Sequence, residues 1–404
     1  MKRRTPHILA APVLILSLML AACGDDGESG DGGDTTTTVA ETAAKLSDEQ
    51  AEAAATTYAD QVFAAYSATI AATTDMQTAI ATFLSAPSDA TLTAAKDAWL
   101  AARDLYGPTE VFRFYDGPID DPDDGPEGRI NAWPMDEAYV DYVEDDPEAG
   151  IIGDAEGVPT ITVDEIVAAN EEGGETNIST GWHAIEFLLW GQDLSEDGPG
   201  NRPVTDYTTS PTAERRATYL TEVTGLLIDD LQGVADQWDP QTGEYRKDFL
   251  ADPQTAIGHI LRGMGALSAG ELAGERIAVA YETKDQEDEH SCFSDNTDAD
   301  VINNAKGIQM AYTGEYEGVS GTSLHDVVAE VAPDLDAELT ASLADNVAKA
   351  EAMAQLGTFE SIIRSEDDSE GRTQMLALVD SLQDQGDLIA KVGTGLGLKI
   401  SLEI

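Results

Sequence analysis

A histidine and a glutamate three residues apart are the side chains of this sequence best placed to do chemistry together. His183 and Glu186 lie in residues 180–190, where most of the other side chains are bulky and apolar. If this run is a helix, both side chains leave the same face one turn apart, and an imidazole nitrogen and a carboxylate oxygen can share one cation. Burying such groups among apolar neighbours is unfavourable without a partner. The spacing therefore indicates a metal site, with a simple histidine–carboxylate pair as the alternative.

Few other groups in the chain are suited to bind a soft metal. The sequence has 5 histidines and 2 cysteines, and it contains no His-Glu-x-x-His motif of the zinc peptidases. His259 and His325 fall in ordinary helical patterns and are predicted to be structural. A mixed nitrogen and oxygen site suits iron, with zinc, copper or manganese as alternatives. A hydrolytic centre would also need a general base, and Glu186 cannot easily be both base and ligand.

The composition argues against nucleic acid as a partner and favours a helical protein. The chain has 404 residues, with 22 basic and 77 acidic side chains and a formal net charge of −55. Phosphate binding requires the opposite sign of charge, whereas an acidic surface attracts cations. Aromatic residues make up only 6% of the chain, and alanine is frequent, which is typical of closely packed helices. The length is sufficient for two domains.

The N-terminus predicts export and attachment to a bacterial cell envelope through a lipid. Basic residues precede an apolar run of signal-peptide type that is too short to span a membrane comfortably. The run ends in Leu20-Ala21-Ala22-Cys23, which resembles a bacterial lipobox. We therefore expect residues 1–22 to be a signal peptide, Cys23 to carry the lipid, and residues 23–45 to form a flexible acidic linker. The protein would then lie on the periplasmic or extracytoplasmic face of its membrane.

Apolar residues recur at steps of three and four along most of the remaining chain, which predicts an all-α fold. Helices are predicted over residues 46–86, 88–106, 180–190, 210–239, 255–281, 297–311, 321–331, 334–354 and 370–390. We expect two four-helix-bundle-like domains, one over residues 46–240 and one over residues 241–404. Residues 109–178 interrupt the pattern with dense glycine, proline and aspartate. The aromatic residues of this long irregular segment indicate that it is ordered and functional.

Several stretches resemble the imelysin-like family. The run Gly181-Trp182-His183-Ala184-Ile185-Glu186 has the Gly-x-His-x-x-Glu motif of that family. The other matching stretches are residues 110–120, 130–134 and 285–297. The resemblance covers most of the chain after the linker. It implies two four-helix bundles with the motif near their interface, and a link to iron uptake.

The resemblance also implies roles for individual residues. Gly181 would let the backbone approach a neighbour closely, His183 would give a nitrogen ligand and Glu186 an oxygen ligand. The candidates for the surrounding pocket are Glu110, Arg113, Asp120, Trp133 and His290. For each of these, a buried salt bridge or a cap is the alternative role.

These observations together predict an imelysin-like lipoprotein that binds a transition metal for iron uptake or homeostasis. Iron is the favoured metal, with zinc or copper as alternatives. The expected partners are the metal ion, the membrane through the N-terminal lipid, and iron-transport proteins of the envelope. The alternative function is a metallopeptidase, because some members of the family were named as insulin-cleaving metallopeptidases. The motif supplies few groups for a hydrolytic site, which favours the binding function.

Overall fold

Helices and their connections make up the part of the chain that this computed structural model describes, residues 45–195 and 198–399. Apart from one isolated bridge between Val143 and Asp146, these residues form no β structure. The prediction of an all-α fold is therefore confirmed. None of the described helices combines the length and the apolar character that crossing a bilayer requires. The predicted signal peptide, Cys23 and nearly all of the linker lie outside the described residues.

The first set of helices precedes residue 240. In chain order it comprises α1 (Asp48–Ser85), α2 (Asp89–Tyr106), α3 (Glu127–Ile130), α4 (Glu137–Val140), α5 (Gly150–Gly153), α6 (Val163–Ala169), α7 (Gly181–Trp190) and α8 (Ala213–Trp238). Short 3₁₀ helices occur at Gly107–Phe112 and Val204–Tyr207. Ser47 and Ser88 begin α1 and α2 with capping boxes. The helices α1, α2, α7 and α8 pack on one another and form the framework of this part.

The second set of helices follows residue 240. In chain order it comprises α9 (Glu244–Ala251), α10 (Pro253–Gly265), a π-helical segment (Ala266–Ala278), α11 (Val279–Thr283), α12 (Thr297–Thr313), α13 (Leu324–Val331), α14 (Pro333–Met353), α15 (Phe359–Arg364) and α16 (Glu370–Gly395). A short 3₁₀ helix occurs at Gln286–Asp288. Here α16 packs on α14 and on the π-helical segment, and α12 packs on α14. Because α1 and α10 also pack together, the two sets are in contact, and the domain boundary at residue 240 stays a prediction.

The predicted helix over residues 255–281 exists but changes its winding. Residues Ala266–Ala278 of this stretch are π-helical, so that hydrogen bonds there join residues five apart instead of four. Glu271 and Arg276 are five apart and form an ion pair of 3.1 Å within this segment. Upstream, Gly263 allows close packing, because a Cβ there would lie 2.5 Å from the carbonyl oxygen of Val111.

The irregular segment between α2 and α7 is ordered and lies against the start of α7. Gly181 begins that helix with φ of +79°, and a Cβ added to it would lie 2.4 Å from the carbonyl oxygen of Ile130. Only glycine therefore permits this conformation and this close contact. The contact fixes residues 129–134 beside the first turn of α7, the turn that carries His183.

Candidate functional site

Helix α7 buries a histidine and a glutamate completely. All 10 residues of the helix are buried, and the exposed fraction of both His183 and Glu186 is 0%. The Nδ1 atom of His183 lies 2.9 Å from Oε2 of Glu186. The other oxygen of Glu186, Oε1, accepts hydrogen bonds from the backbone N of Ser294 at 2.9 Å and from its Oγ at 2.6 Å. Both oxygens of Glu186 thus have partners within the protein.

The second ring nitrogen of His183, Nε2, is buried and has no hydrogen-bond partner among the described residues. Its ring packs against Trp133 and His290, with centroid distances of 4.8 Å and 4.9 Å. When Glu186 accepts the hydrogen of Nδ1, the lone pair of the imidazole is on Nε2. A carboxylate behind Nδ1 is also the usual arrangement for a histidine that binds a metal through Nε2. The site therefore offers one oriented nitrogen that lacks a partner.

His290 has a similar arrangement. Its Nδ1 lies 3.2 Å from Oδ2 of Asp300 and 3.1 Å from Nη2 of Arg103. Asp300 is held in place by Arg103 Nε at 3.0 Å and by Ser291 Oγ at 2.6 Å. When Nδ1–H of His290 donates to Asp300, the lone pair of the ring is on Nε2, whereas the hydrogen is on Nε2 when Nδ1 accepts from Arg103. The structure thus brings together two imidazole rings, each with a carboxylate beside Nδ1.

Burial shifts the ionisation of these groups toward their neutral forms. Burial lowers the pKa of His183 well below its ordinary value, and the charge of Arg103 lowers it further. Burial and then the charge of Arg276 likewise lower the pKa of His290. Burial raises the pKa of Glu186 to about 8, against the hydrogen bonds that its carboxyl accepts. Neutral imidazole is the form that binds metals. When Glu186 is protonated, it donates a hydrogen bond to Nδ1, and the ring hydrogen is then on Nε2. A cation at Nε2 therefore displaces one proton from the pair and favours the ionised form of Glu186.

Glu110 lies in a buried network of charges and amides. Its carboxylate is 1% exposed and accepts hydrogen bonds from Arg276 Nη2 at 2.7 Å, Asn131 Nδ2 at 2.6 Å and Asn304 Nδ2 at 2.6 Å. Burial alone would raise the pKa of Glu110, but the guanidinium of Arg276 lowers it to about 2. Glu110 is thus an ionised, buried residue held by Arg276, Asn131 and Asn304.

Asp120 organises the turn in which it lies. Its Oδ1 accepts a hydrogen bond from Gly117 N at 2.8 Å, and its Oδ2 accepts one from Tyr115 N at 3.2 Å and a shorter one from Phe114 N. These bonds hold Phe114 in a backbone conformation with φ of 72°. The structure therefore places Asp120 in a local turn, where it caps backbone groups.

A cavity of about 470 Å³ lies beside His290. Trp133 and His290 line it, and both also pack against the ring of His183. Arg113 and Arg276 contribute positive charges to its wall. The acidic residues of the wall are Glu127, Glu171, Glu175, Glu271, Glu275 and Asp288. Because the acidic groups outnumber the basic ones, the cavity favours cations over anions.

The arginines of the cavity are tied to part of this acidic wall. Arg113 forms an ion pair with Glu127 at 3.0 Å and lies 4.0 Å from a carboxylate oxygen of Glu271. Arg276 pairs with Glu271 at 3.1 Å. The other acidic residues of the wall, which are Glu171, Glu175, Glu275 and Asp288, form no salt bridge within the described part of the chain. The free negative charge of the cavity therefore belongs to these residues.

Sequence reasoning missed an acidic cluster beside the site. Carboxylate oxygens of Asp193, Asp295 and Glu360 lie within 4.8 Å of one another. Asp193 follows the end of α7, and Asp295 follows Ser294, which holds Glu186. The three residues come from distant parts of the chain and share no spacing, so no motif could reveal them. Ser294 and Asp295 do lie within the run 285–297, but the resemblance named only His290 there.

The two histidines predicted to be structural lie away from the cavity. The ring of His259 stacks on Tyr115 with a centroid distance of 5.4 Å. His325 Nδ1 lies 2.6 Å from Oδ1 of Asp336. Neither histidine lines the cavity. His325 and Asp336 form a histidine–carboxylate pair comparable to that of the site, which makes them a useful control.

Comparison with known proteins relates most of the helical part of the chain to one family. The family model for imelysin matches residues 62–389. Iron-regulated protein A of Synechococcus elongatus is 27% identical over 293 residues, which are 68% of this chain and 69% of that protein. A crystal structure from Parabacteroides distasonis, described as an iron-regulated protein A precursor, aligns with a TM-score of 0.67 and 20% identity. The alignment covers 87% of this chain and 97% of that chain, and at this identity it shows a shared fold.

Proposed function

The chain belongs to the imelysin family, and from this we propose that it binds iron through His183 and serves iron uptake or homeostasis at the cell envelope. The name iron-regulated protein A, which its relatives carry, supports iron as the metal. The proposal rests mainly on the surroundings of the Nε2 atom of His183. That nitrogen is buried, has no hydrogen-bond partner among the described residues, and belongs to a ring held by Glu186.

His183 would bind the metal through Nε2, and His290 is the nearest second nitrogen donor. The two rings are 4.9 Å apart, and the Nδ1 atom of each faces a carboxylate. In this arrangement Glu186 orients His183 from behind. Direct binding of the metal by Glu186, which the spacing of the motif predicts, would use the second lone pair of Oε2, because Oε1 already accepts two hydrogen bonds from Ser294. Nitrogen and oxygen donors suit iron, with zinc or copper as alternatives.

The acidic cavity would supply the cation to these nitrogens. Acidic side chains without salt bridges raise the local concentration of cations, and the low-dielectric walls of a cavity strengthen the effect. Trp133 and His290 lie between the cavity and the ring of His183. A metal ion entering from solvent would therefore reach His290 first and His183 after a small movement of Trp133.

The location at the envelope is the second part of the proposal. The signal peptide and the lipobox-like Leu20-Ala21-Ala22-Cys23 support export and a lipid anchor. A lipid at Cys23 would hold the protein close to iron-transport proteins of the envelope, to which it would deliver the metal. The replacement Cys23→Ala should move the protein from the membrane fraction to the soluble fraction of cells. Retention of this variant in the membrane fraction would contradict the anchor.

Metal analysis of purified variants tests the metal site. Wild-type protein purified without chelators should contain iron, and His183→Ala should lose most of it. His259→Ala is the matched control, because the Nδ1 atom of that histidine is also buried, has no hydrogen-bond partner in the described part of the chain, and lies outside the cavity. Circular dichroism would establish that all three proteins are folded. Equal iron in wild type and His183→Ala would contradict the proposal.

A metallopeptidase remains the alternative function, but the site favours binding. Peptide hydrolysis needs a metal-bound water, a general base and space for the peptide next to both. His183 and Glu186 are 0% exposed, and both oxygens of Glu186 are engaged. Neither residue can therefore reach a peptide without rearrangement. Hydrolysis of an unfolded protein by the iron-loaded chain, abolished in Glu186→Gln, would establish the peptidase instead.

A further inference from the structure

We propose that Asp193, Asp295 and Glu360 form a calcium site separate from that of His183. One carboxylate oxygen from each residue lies within 4.8 Å of the other two. Oxygens that share a calcium ion at about 2.3–2.6 Å lie at most about 5 Å apart, so the spacing permits a common ion. Asp193 and Glu360 are each only 2% exposed, which distinguishes this cluster from the acidic residues of the surface.

Two further carboxylates beside the cluster each have an oxygen that lacks a donor. Glu289 is 1% exposed, and its Oε1 is buried with no hydrogen-bond partner among the described residues. The charges of Glu360, Asp295 and Asp298 act on this carboxyl, which shows that it shares their surroundings. Oδ2 of Asp298 accepts a hydrogen bond from the backbone N of Phe359 at 3.1 Å, whereas its buried Oδ1 has no partner within residues 45–195 and 198–399. Buried oxygens of this kind are unfavourable unless a cation or donor faces them.

The charge balance of the cluster indicates a divalent ion. Arg364 forms an ion pair with Glu360, and its charge also acts on Asp193 and Asp295. Burial raises the pKa of Asp193, and it raises the pKa of Asp295 to about 7, so a cation that binds here would displace protons. With all three carboxylates ionised, the cluster and one guanidinium have two net negative charges, which one divalent cation would neutralise. The acidic neighbour Glu289 increases the negative charge further when it is ionised.

The donor atoms select calcium among divalent ions. All of them are carboxylate oxygens, which favour hard cations over zinc or copper. Calcium accepts six to eight oxygen ligands in irregular arrangements, whereas magnesium demands a regular octahedron and retains several waters. A crowded group of carboxylates from separate segments matches the irregular coordination that calcium accepts.

A calcium ion here would join three parts of the chain. Asp193 follows α7 directly, Glu360 belongs to α15, and Asp295 follows Ser294 in the connection to α12. The ion would therefore hold the Ser294 segment against the end of the helix that carries Glu186. We expect calcium to stabilise the folded chain, because it binds the assembled cluster and not the unfolded protein.

Thermal unfolding with and without calcium tests the site. Bound metal would first be removed from the mature chain with a chelator. The protein would then be dialysed into about 0.15 M salt, which screens the surface charges, and titrated with calcium chloride. Wild type should gain several degrees in Tm, and Asp193→Asn/Asp295→Asn should gain none. Asparagine keeps the size and hydrogen-bonding oxygen of aspartate, so the variant should fold. The single variant Glu360→Gln gives a second, independent test of the same cluster.

Two controls separate this site from other effects. Asp121→Asn/Asp123→Asn removes the same charge from an exposed turn and should keep the calcium response. His183→Ala should also keep it, so failure of the iron site and failure of the calcium site are distinguishable. An unchanged response in both cluster variants would overturn the proposal. So would no response of the wild type at about 10 mM calcium, above the range in which extracellular calcium modules bind.

Discussion

Replacing Glu186 by glutamine should weaken metal binding at His183 without unfolding the protein. Glutamine has nearly the same size, and its amide oxygen can still accept the two hydrogen bonds from Ser294 that Glu186 accepts. Its NH₂ group, however, would take the place of the oxygen that lies 2.9 Å from His183 Nδ1. An amide that donates to Nδ1 forces the proton of the imidazole onto Nε2. The nitrogen that should bind the metal would then carry a hydrogen.

The expected size of the effect follows from the position of Glu186 behind the ring. Loss of a carboxylate that orients a histidine ligand typically lowers metal affinity about 10–100-fold. This range corresponds to about 1.4–2.7 kcal/mol of binding free energy. His183→Ala removes the nitrogen itself and should lower the affinity further. The order of affinities should therefore be wild type, Glu186→Gln and then His183→Ala.

Competition with a coloured chelator would measure these affinities. Fe²⁺ under anaerobic conditions is the probe that the proposed function calls for, and Zn²⁺ is a redox-inert substitute. Asp336→Asn is the matched control, because it changes a carboxylate 2.6 Å from Nδ1 of His325, outside the cavity. This control should bind metal as the wild type does. Equal affinity of Glu186→Gln and wild type would refute the assignment of Nε2 as the metal-binding atom.

Three other predictions concern the framework of the site. Arg276→Met leaves the buried carboxylate of Glu110 without its cation, and we expect urea unfolding to show a loss of about 3–5 kcal/mol; an unchanged midpoint would contradict this. Gly181→Ala places a Cβ 2.4 Å from the oxygen of Ile130 at φ of +79°. It should cost at least about 1 kcal/mol in the same assay and weaken metal binding, and wild-type behaviour in both would show that the backbone adjusts. Burial and a neighbouring arginine lower the pKa of Lys96 from 10.5 to about 8. Between these two pH values, the unfolded chain binds more protons at Lys96 than the folded chain does. The free energy of unfolding of the wild type, relative to that of Lys96→Met, should therefore increase as the pH rises through this range. A constant or decreasing difference would contradict the lowered pKa.

The helices could be predicted from the sequence because their signals are local. In α1, the apolar residues at steps of three and four are buried, among them Tyr58, Val62 and Phe83. Its polar member, Thr69, is buried too and donates a hydrogen bond to the carbonyl oxygens of Ala65 and Leu105. The helices α9 and α15 were not predicted, because 8 and 6 residues are too few for a periodic pattern to emerge.

The site was less accessible to sequence reasoning, because most of its contacts are between distant residues. The spacing of His183 and Glu186 predicts that they share a helical face, and they are indeed hydrogen-bonded. Ser294, which donates two hydrogen bonds to Glu186, lies 108 residues after it in the sequence. Only tertiary packing brings the two residues together. The same holds for the acidic cluster. Of the predicted pocket residues, Trp133 and His290 contact the ring of His183, whereas Asp120 caps a turn.

The π-helical segment makes the charge network sensitive to chain length. An α-helix turns by about 100° for each residue, so one residue more or less rotates everything that follows. Deleting a single residue from Ala266–Ala278 without a change of winding would turn Arg276 away from Glu110. A homologous protein that shows a one-residue gap at this stretch in an alignment is therefore expected either to wind this stretch as an α-helix or to neutralise its counterpart of Glu110 in another way.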